Sequence, residues 1–124
     1  MESLTLQVGG THYKGLKVEP VQLAVEADLN FFQTSIVKYV SRYKLKNGKE
    51  DLCKSIHLAH LGHDLNAPNH CEVVQPLVKY VRENELSPEI GEILYHTLLQ
   101  NWLHVVSLIE KLIEEEYGTD VPQA

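Results

Sequence analysis

The sequence predicts a mainly α protein, a compact helical domain of about four to five helices with an N-terminal arm or short strand and a Gly-rich loop. Three observations predict it. Apolar residues recur at helical spacing in successive blocks from residue 20 to residue 117. Most blocks are bounded by a helix-start or helix-stop residue. The 124 residues, 44% hydrophobic and 23% charged, suit one globular domain with a real core. Residues 1–117 are assigned to a single helical domain and 118–124 to a flexible tail.

Residues 1–19 carry Gly9, Gly10 and Gly15 with thinly scattered β-branched residues, so a short strand near residues 4–8 would lead into a Gly-rich loop. Pro20 suits the first turn of a helix, where its missing N–H costs nothing, and Val21, Leu23, Ala24 and Val25 continue to about residues 28–30. The next helix runs from Asn30, a good N-cap, to about Leu45. Phe32, Ile36, Val40 and Tyr43 form its apolar face, with Ser35, Lys38, Tyr39 and Arg42 on the adjoining one. Lys44 and Lys46 suit the negative end of the helix dipole, and Asn47-Gly48 stops it.

A helix over about residues 49–65 carries two apolar stripes, Leu52/Ile56/Ala59 and Leu58/Leu61/Leu65, so it should be packed on both sides. Ala67-Pro68-Asn69 breaks it. Residues 71–83 give a further helix, with Val73, Val74, Leu77, Val78 and Val81 apolar; its valines leave a strand as the alternative. Ser87-Pro88 starts the last helical stretch, to Tyr117, with a break near Gln100-Asn101. Leu98, Trp102, Val105, Ile109 and Leu112 make a seam spaced 4, 3, 4, 3, widened by Leu99, Leu103, Val106 and Ile113. A face that wide suggests a homo-oligomer as well as core packing.

The net charge of −6 argues against DNA or RNA as a partner, which would need a basic surface. Charge is uneven: residues 1–54 hold eight Lys/Arg against six Asp/Glu, residues 55–124 three against eleven. A small anion is therefore a plausible ligand of the first half. Cys53 and Cys71 make no disulfide framework, and no apolar run approaches 18 residues, so a soluble cytoplasmic protein without a membrane partner is expected.

Three constellations could carry chemistry. Gly9, Gly10, Thr11, His12, Tyr13 and Lys14 offer backbone N–H groups for a phosphate nest, hydroxyl and ammonium donors, and rings to stack on a base. A P-loop would need Lys at position 16 and Ser or Thr at 17; the chain has Leu16 and Lys17. Lys38 and Arg42 with Ser35 and Tyr39 form a second group. Cations one turn apart repel, a phosphate reconciles them, and the nearby ring suits a base. Cys53, His57, His60 and Asp64 share one sector of a helix and are all metal-ligand types, with His63-Asp64 similar to the HD dyad of metal phosphohydrolases. Strung over about 16 Å of helix, only two or three could reach one ion, although His96 and His104 could approach. No metal and no other cofactor is assigned, and these residues are taken as polar side chains of which His57 faces the ligand. No GxSxG, HExxH or GxGxxG is present, which leaves little support for catalysis.

Gly9-Gly10-Thr11-His12-Tyr13, Glu19-Pro20-Val21, Leu29-Asn30-Phe31, the run from Lys38 to Tyr43 and the run from Lys46 to Leu52 resemble the ordered blocks of a small phage family of unknown function, often labelled "nucleotide kinase". Thr34-Ser35 stands where that family tends to have Gly-Asn. The resemblance covers about residues 8–66 and implies a phage protein that handles a nucleotide. Together with the residue patterns it gives the expected function: sequestration of a nucleotide immune signal, a cyclic dinucleotide or a cyclic ADP-ribose type, without cleavage, in the host cell cytoplasm. That would inhibit antiphage defence. The expected ligand residues are Gly9, Gly10, Thr11, His12, Tyr13, Lys14, Ser35, Lys38, Tyr39, Arg42, Lys46 and His57. The alternatives are a nucleoside monophosphate kinase, a metal-dependent phosphohydrolase, or a helical inhibitor of a host protein.

Overall fold

The computed structural model describes residues 15–118. The expected arm or strand, the loop residues 9–14 and all of the expected tail except Gly118 lie outside the described residues. Six α-helices follow in order: α1 (Pro20–Ala27), α2 (Phe31–Arg42), α3 (Lys49–Asp64), α4 (Gln75–Glu83), α5 (Pro88–Leu98) and α6 (Trp102–Tyr117). The described residues contain no strand. No helix among them is long and apolar enough to cross a membrane.

Local chemistry sets most of the boundaries. Asn30 caps α2 as its sequence suggests: Gln33 N–H donates to the Asn30 side chain at 2.9 Å, and Asn30 N–H donates back to Gln33 Oε1 at 2.9 Å. α2 ends earlier than expected, because Tyr43–Leu45 tightens into a 3₁₀ turn. Gly48 then donates to Tyr43 O at 2.7 Å with φ of 57°, a left-handed conformation that glycine adopts without strain. The expected helix start at residue 71 moves to Gln75. A start at 71 would bury Pro76 in the helix interior, whereas in the first turn its missing N–H is harmless. The long C-terminal stretch is two helices, which brings the count among the described residues to six. Gln100, at φ 57°, reverses the chain there.

α3 is the central helix, packed against both α2 and α6. Leu52, Ile56 and Ala59 are buried as the first stripe requires. The second stripe is corrected. Leu58 and Leu61 are only half-buried and Leu65 is 66% exposed. The close approach to α6 falls on Gly62 instead, where an added Cβ would stand 2.8 Å from Trp102 Cε2. The absent side chain is what admits the indole. The α5–α6 seam is buried from Leu98 to Leu112, with Val106 and Ile113, while Leu99 and Leu103 face outward.

Amide side chains tie the loops to this core. Asn84 Oδ1 accepts from Lys17 N–H at 2.7 Å and Val18 N–H at 2.9 Å, and Asn84 Nδ2 donates to Val18 O at 3.0 Å. One side chain thus stands in for a strand partner to the N-terminal strap. Gln33, fully buried, donates to Leu98 O and to Asn69 Oδ1, both at 3.0 Å. Asn30 donates to Gln100 Oε1 at 2.6 Å and to Pro68 O at 2.9 Å. At the other end, the buried Tyr43 hydroxyl donates to the Glu116 carboxylate, 2.7 Å and 2.8 Å from its two oxygens.

Two predictions follow from this packing. In an exposed helix Gly→Ala would stabilise by about 1 kcal/mol. At Gly62 the methyl group meets a rigid indole, so Gly62→Ala is expected to lower stability by about 1–3 kcal/mol, read as a reduced urea midpoint. Burial, and then the Glu116 carboxylate, raise the Tyr43 pKa above its ordinary 10.0. Above pH 10 the unfolded chain therefore releases a proton that the folded one keeps, and stability falls as pH rises. Stability curves from pH 8 to 11 should decline more steeply for the wild type than for Tyr43→Phe. That variant should itself lose about 1 kcal/mol at neutral pH.

Candidate functional site

The basic face of α2 meets the N-terminal half of α3 along an open groove of about 440 Å³, lined by Tyr39, Glu50, Cys53, Lys54, His57 and Leu58. The helix faces explain the meeting. Ile36, Val37 and Val40 bury one side of α2, and Leu52 and Ile56 one side of α3. Tyr39 is left at the margin, lining the groove with Cys53, Lys54 and His57, and Lys38 stands by its ring.

Tyr39 is the centre of the charge arrangement. Lys38 Nζ stands 4.8 Å from its ring centroid, Arg42 Cζ 5.0 Å and Lys54 Nζ 5.5 Å. Three cations at one ring gain from its negative face, each by about 0.5–2 kcal/mol depending on desolvation. They also repel one another. Two have carboxylate neighbours: Arg42 Nε lies 3.6 Å from Asp51 Oδ2, and Lys54 Nζ 3.7 Å from Glu50 Oε1. Lys38 forms no ion pair among the described residues. The two pairs differ in kind. Asp51 is fully buried and Arg42 nearly so, whereas Lys54 and Glu50 are largely exposed. An exposed pair of this sort is worth about 0–1 kcal/mol and exchanges readily for another anion.

The expected ligand residues fall into three groups. The groove brings Tyr39 and His57 together, and Lys38 and Arg42 meet the same ring, though Arg42 is buried and engaged with Asp51. Ser35 is buried in α2 and does not line the groove; Lys46 is exposed beyond the 3₁₀ turn and does not line it either. Gly9, Gly10, Thr11, His12, Tyr13 and Lys14 lie outside the described residues. Gly15, which follows them, packs against Leu45 in the 3₁₀ turn after α2, so close that a Cβ would stand 2.9 Å from Leu45 Cδ1.

Sequence patterning overlooked Lys54, Glu50 and Asp51 as members of this site. The face shared by Glu50 and Lys54, four residues apart, was a signal available in the sequence. That this face meets Tyr39 was not. The other proposed cluster does not gather: Cys53 and His57 line the groove, His60 is half-buried, and Asp64 pairs with His63 at 3.3 Å on the surface.

The fold and groove thus define a class: a small helical protein with an open groove between two packed helices, whose Tyr39 ring is approached by three cations. Residues 9–59 match a family described as a protein of unknown function (DUF3310). That span takes in every residue lining the groove and leaves α4, α5 and α6 outside. No curated protein and no solved structure matches the chain.

Arg42 is the test of what holds the groove together. Arg42→Ala leaves Asp51 as a buried charge without this counter-ion. It is expected to cost about 3–5 kcal/mol, read by urea unfolding. The double variant Arg42→Met with Asp51→Leu removes both charges at similar volume and should recover most of that loss.

Proposed function

We propose that this chain binds a nucleotide in the groove between α2 and α3 and sequesters it intact. Lys38 and Lys54 would meet phosphate oxygens, and Tyr39 and His57 would lie against a base or ribose. The observation that carries this reading is the convergence of three cationic side chains on the half-exposed Tyr39 ring. An anionic, partly aromatic ligand satisfies both features at once. A charged hydrogen bond to phosphate is worth about 1.5–3 kcal/mol, more than the exposed Lys54–Glu50 pair it would replace. The buried Arg42–Asp51 pair would then hold the ring in place, with Arg42 adding field to the site.

The ligand class proposed is a cyclic dinucleotide or a cyclic ADP-ribose-type signal. The setting is a phage protein that withholds such a signal from antiphage defence in the host cytoplasm. Donors from Gly9–Lys14 belong to this reading on residue type alone. Self-association belongs to it as well. Phe31, Leu99 and Leu103 are exposed apolar residues at the end of the molecule where Asn30 joins Gln100, and they would be covered in a homo-oligomer.

Calorimetry against cyclic dinucleotides, cyclic ADP-ribose isomers and common mononucleotides tests the proposal. At least one should bind at micromolar concentration or tighter. Lys38→Ala and Lys54→Ala should each weaken it by about tenfold or more, equal to about 1.4 kcal/mol. Glu50→Gln, which removes a competing carboxylate, should strengthen it. Millimolar or weaker binding across the panel would sink the reading. Ligand recovered chemically unchanged after denaturing the complex separates sequestration from a kinase or phosphohydrolase. Light scattering that reports a monomer at micromolar concentration would remove the homo-oligomer.

A further inference from the structure

The turn between α5 and α6 gathers three side chains that the groove does not use. Glu92 and His96 are four residues apart on α5 and so share a face. His104 lies in the first turn of α6 and stands against them. One donor atom from each of Glu92, His96 and His104 lies within 4.8 Å of the other two. The imidazoles of His96 and His104 are edge to face, with centroids 4.3 Å apart and planes at 87°. Among the described residues no other three His, Cys, Asp or Glu side chains gather in this way.

We propose that Glu92, His96 and His104 form a binding site for a divalent transition-metal ion of the zinc class. The donor set argues for the ion. Two imidazole nitrogens and one carboxylate suit zinc, and also cobalt and nickel, whereas calcium and magnesium take oxygen donors. Three protein ligands leave one tetrahedral position for water or an outside ligand.

The backbone behind the three is firmly held. Leu98 and Trp102 bury the flanks of the turn, Asn101 N–H donates to His96 O at 3.0 Å, and Leu99 N–H donates to Tyr95 O at 3.2 Å. Donors on one tetrahedral ion stand about 3.3 Å apart, given bonds of about 2.0–2.2 Å. Closing the cluster to that spacing asks for side-chain rotation of Glu92 and His104, both exposed.

An outer partner is also in place. Asn101 Nδ2 lies 3.0 Å from His96 Nδ1. After a half-turn of the amide its oxygen would accept from Nδ1–H, which leaves the Nε2 lone pair for an ion. Metal-bound histidines are oriented by contacts of this kind. The surrounding charge favours a cation, since residues 55–124 hold eleven Asp/Glu against three Lys/Arg.

The test uses the full chain, free of any affinity tag and stripped with chelator, titrated with zinc chloride and with cobalt chloride. About one equivalent of zinc should bind per chain at micromolar concentration or tighter, and should raise the melting temperature. Cobalt should develop the visible absorption of a tetrahedral nitrogen–oxygen site. His96→Ala, His104→Ala and the near-isosteric Glu92→Gln should each weaken zinc binding by at least about tenfold, and Asn101→Ala by a smaller factor. Glu92, Asn101 and His104 are exposed and His96 is half-buried, so far-UV circular dichroism should show folded variants; if a histidine variant fails to fold, Glu92→Gln decides. A chain with His63→Ala and His70→Ala should bind as the wild type does. The proposal is overturned if zinc binds only at millimolar concentration. It is equally overturned if the variants at 92, 96 and 104 bind unchanged, or if binding is lost with His63 and His70.

Discussion

Arg42 and Asp51 face each other across the turn that joins α2 to α3, both nearly or wholly out of water. Two charges in that position are costly to bury and tolerable only together. The consequence is geometric. The end of α2 is fixed against the start of α3, with Gly48 making the reversal in the left-handed conformation its missing Cβ permits. Tyr39, one turn before Arg42, and Lys54, one turn after Asp51, are thereby brought to the same margin. The groove opens beside this buried ion pair.

The same helix carries a constraint at its far end. Gly62 lets α3 approach the Trp102 indole, and through that contact the groove-bearing half of the chain is packed on α6. The connections between helices are held by side-chain amides rather than by apolar burial. Asn84 pairs with the backbone of residues 17 and 18, and Gln33, Asn69 and Gln100 join the start of α2 to the turn that separates α5 from α6. A buried amide has several hydrogen-bonding positions to fill, and few arrangements fill them. These side chains therefore select one docking of the loops. The α5–α6 turn that they help define is also the one that brings His104 to Glu92 and His96.

Helix identity was legible because it rests on short-range chemistry. The Asn30 cap, Pro20 and Pro88 in first turns, and the seam from Leu98 to Leu112 all act within one or two turns of chain. The errors have equally local causes. Pro76 delayed α4, and the 3₁₀ turn at Tyr43–Leu45 shortened α2; the break expected near Gln100-Asn101 is present, with Gln100 in a left-handed conformation. The site was half legible. Lys38 and Tyr39 stand out as a basic–aromatic step in an acidic chain; Tyr39 lines the groove and Lys38 stands against its ring. Arg42 carries the same signature but is buried, because its role depends on Asp51, nine residues away, and on the turn between them.

By itself the sequence determined where helices start, which faces are apolar, and that positive charge and aromatic rings share one face of α2. Those properties follow from backbone propensity and periodicity, which neighbours along the chain decide. Only the tertiary structure decided that Lys54 joins Lys38 at Tyr39, that Gly62 rather than Leu61 or Leu65 makes the close contact of α3, and that His96 meets His104 instead of the histidines of α3. Each depends on the distance and rotation between packed helices. Those are set by the shapes of buried side chains and by one ion pair, and neither has a signature at fixed spacing in the chain.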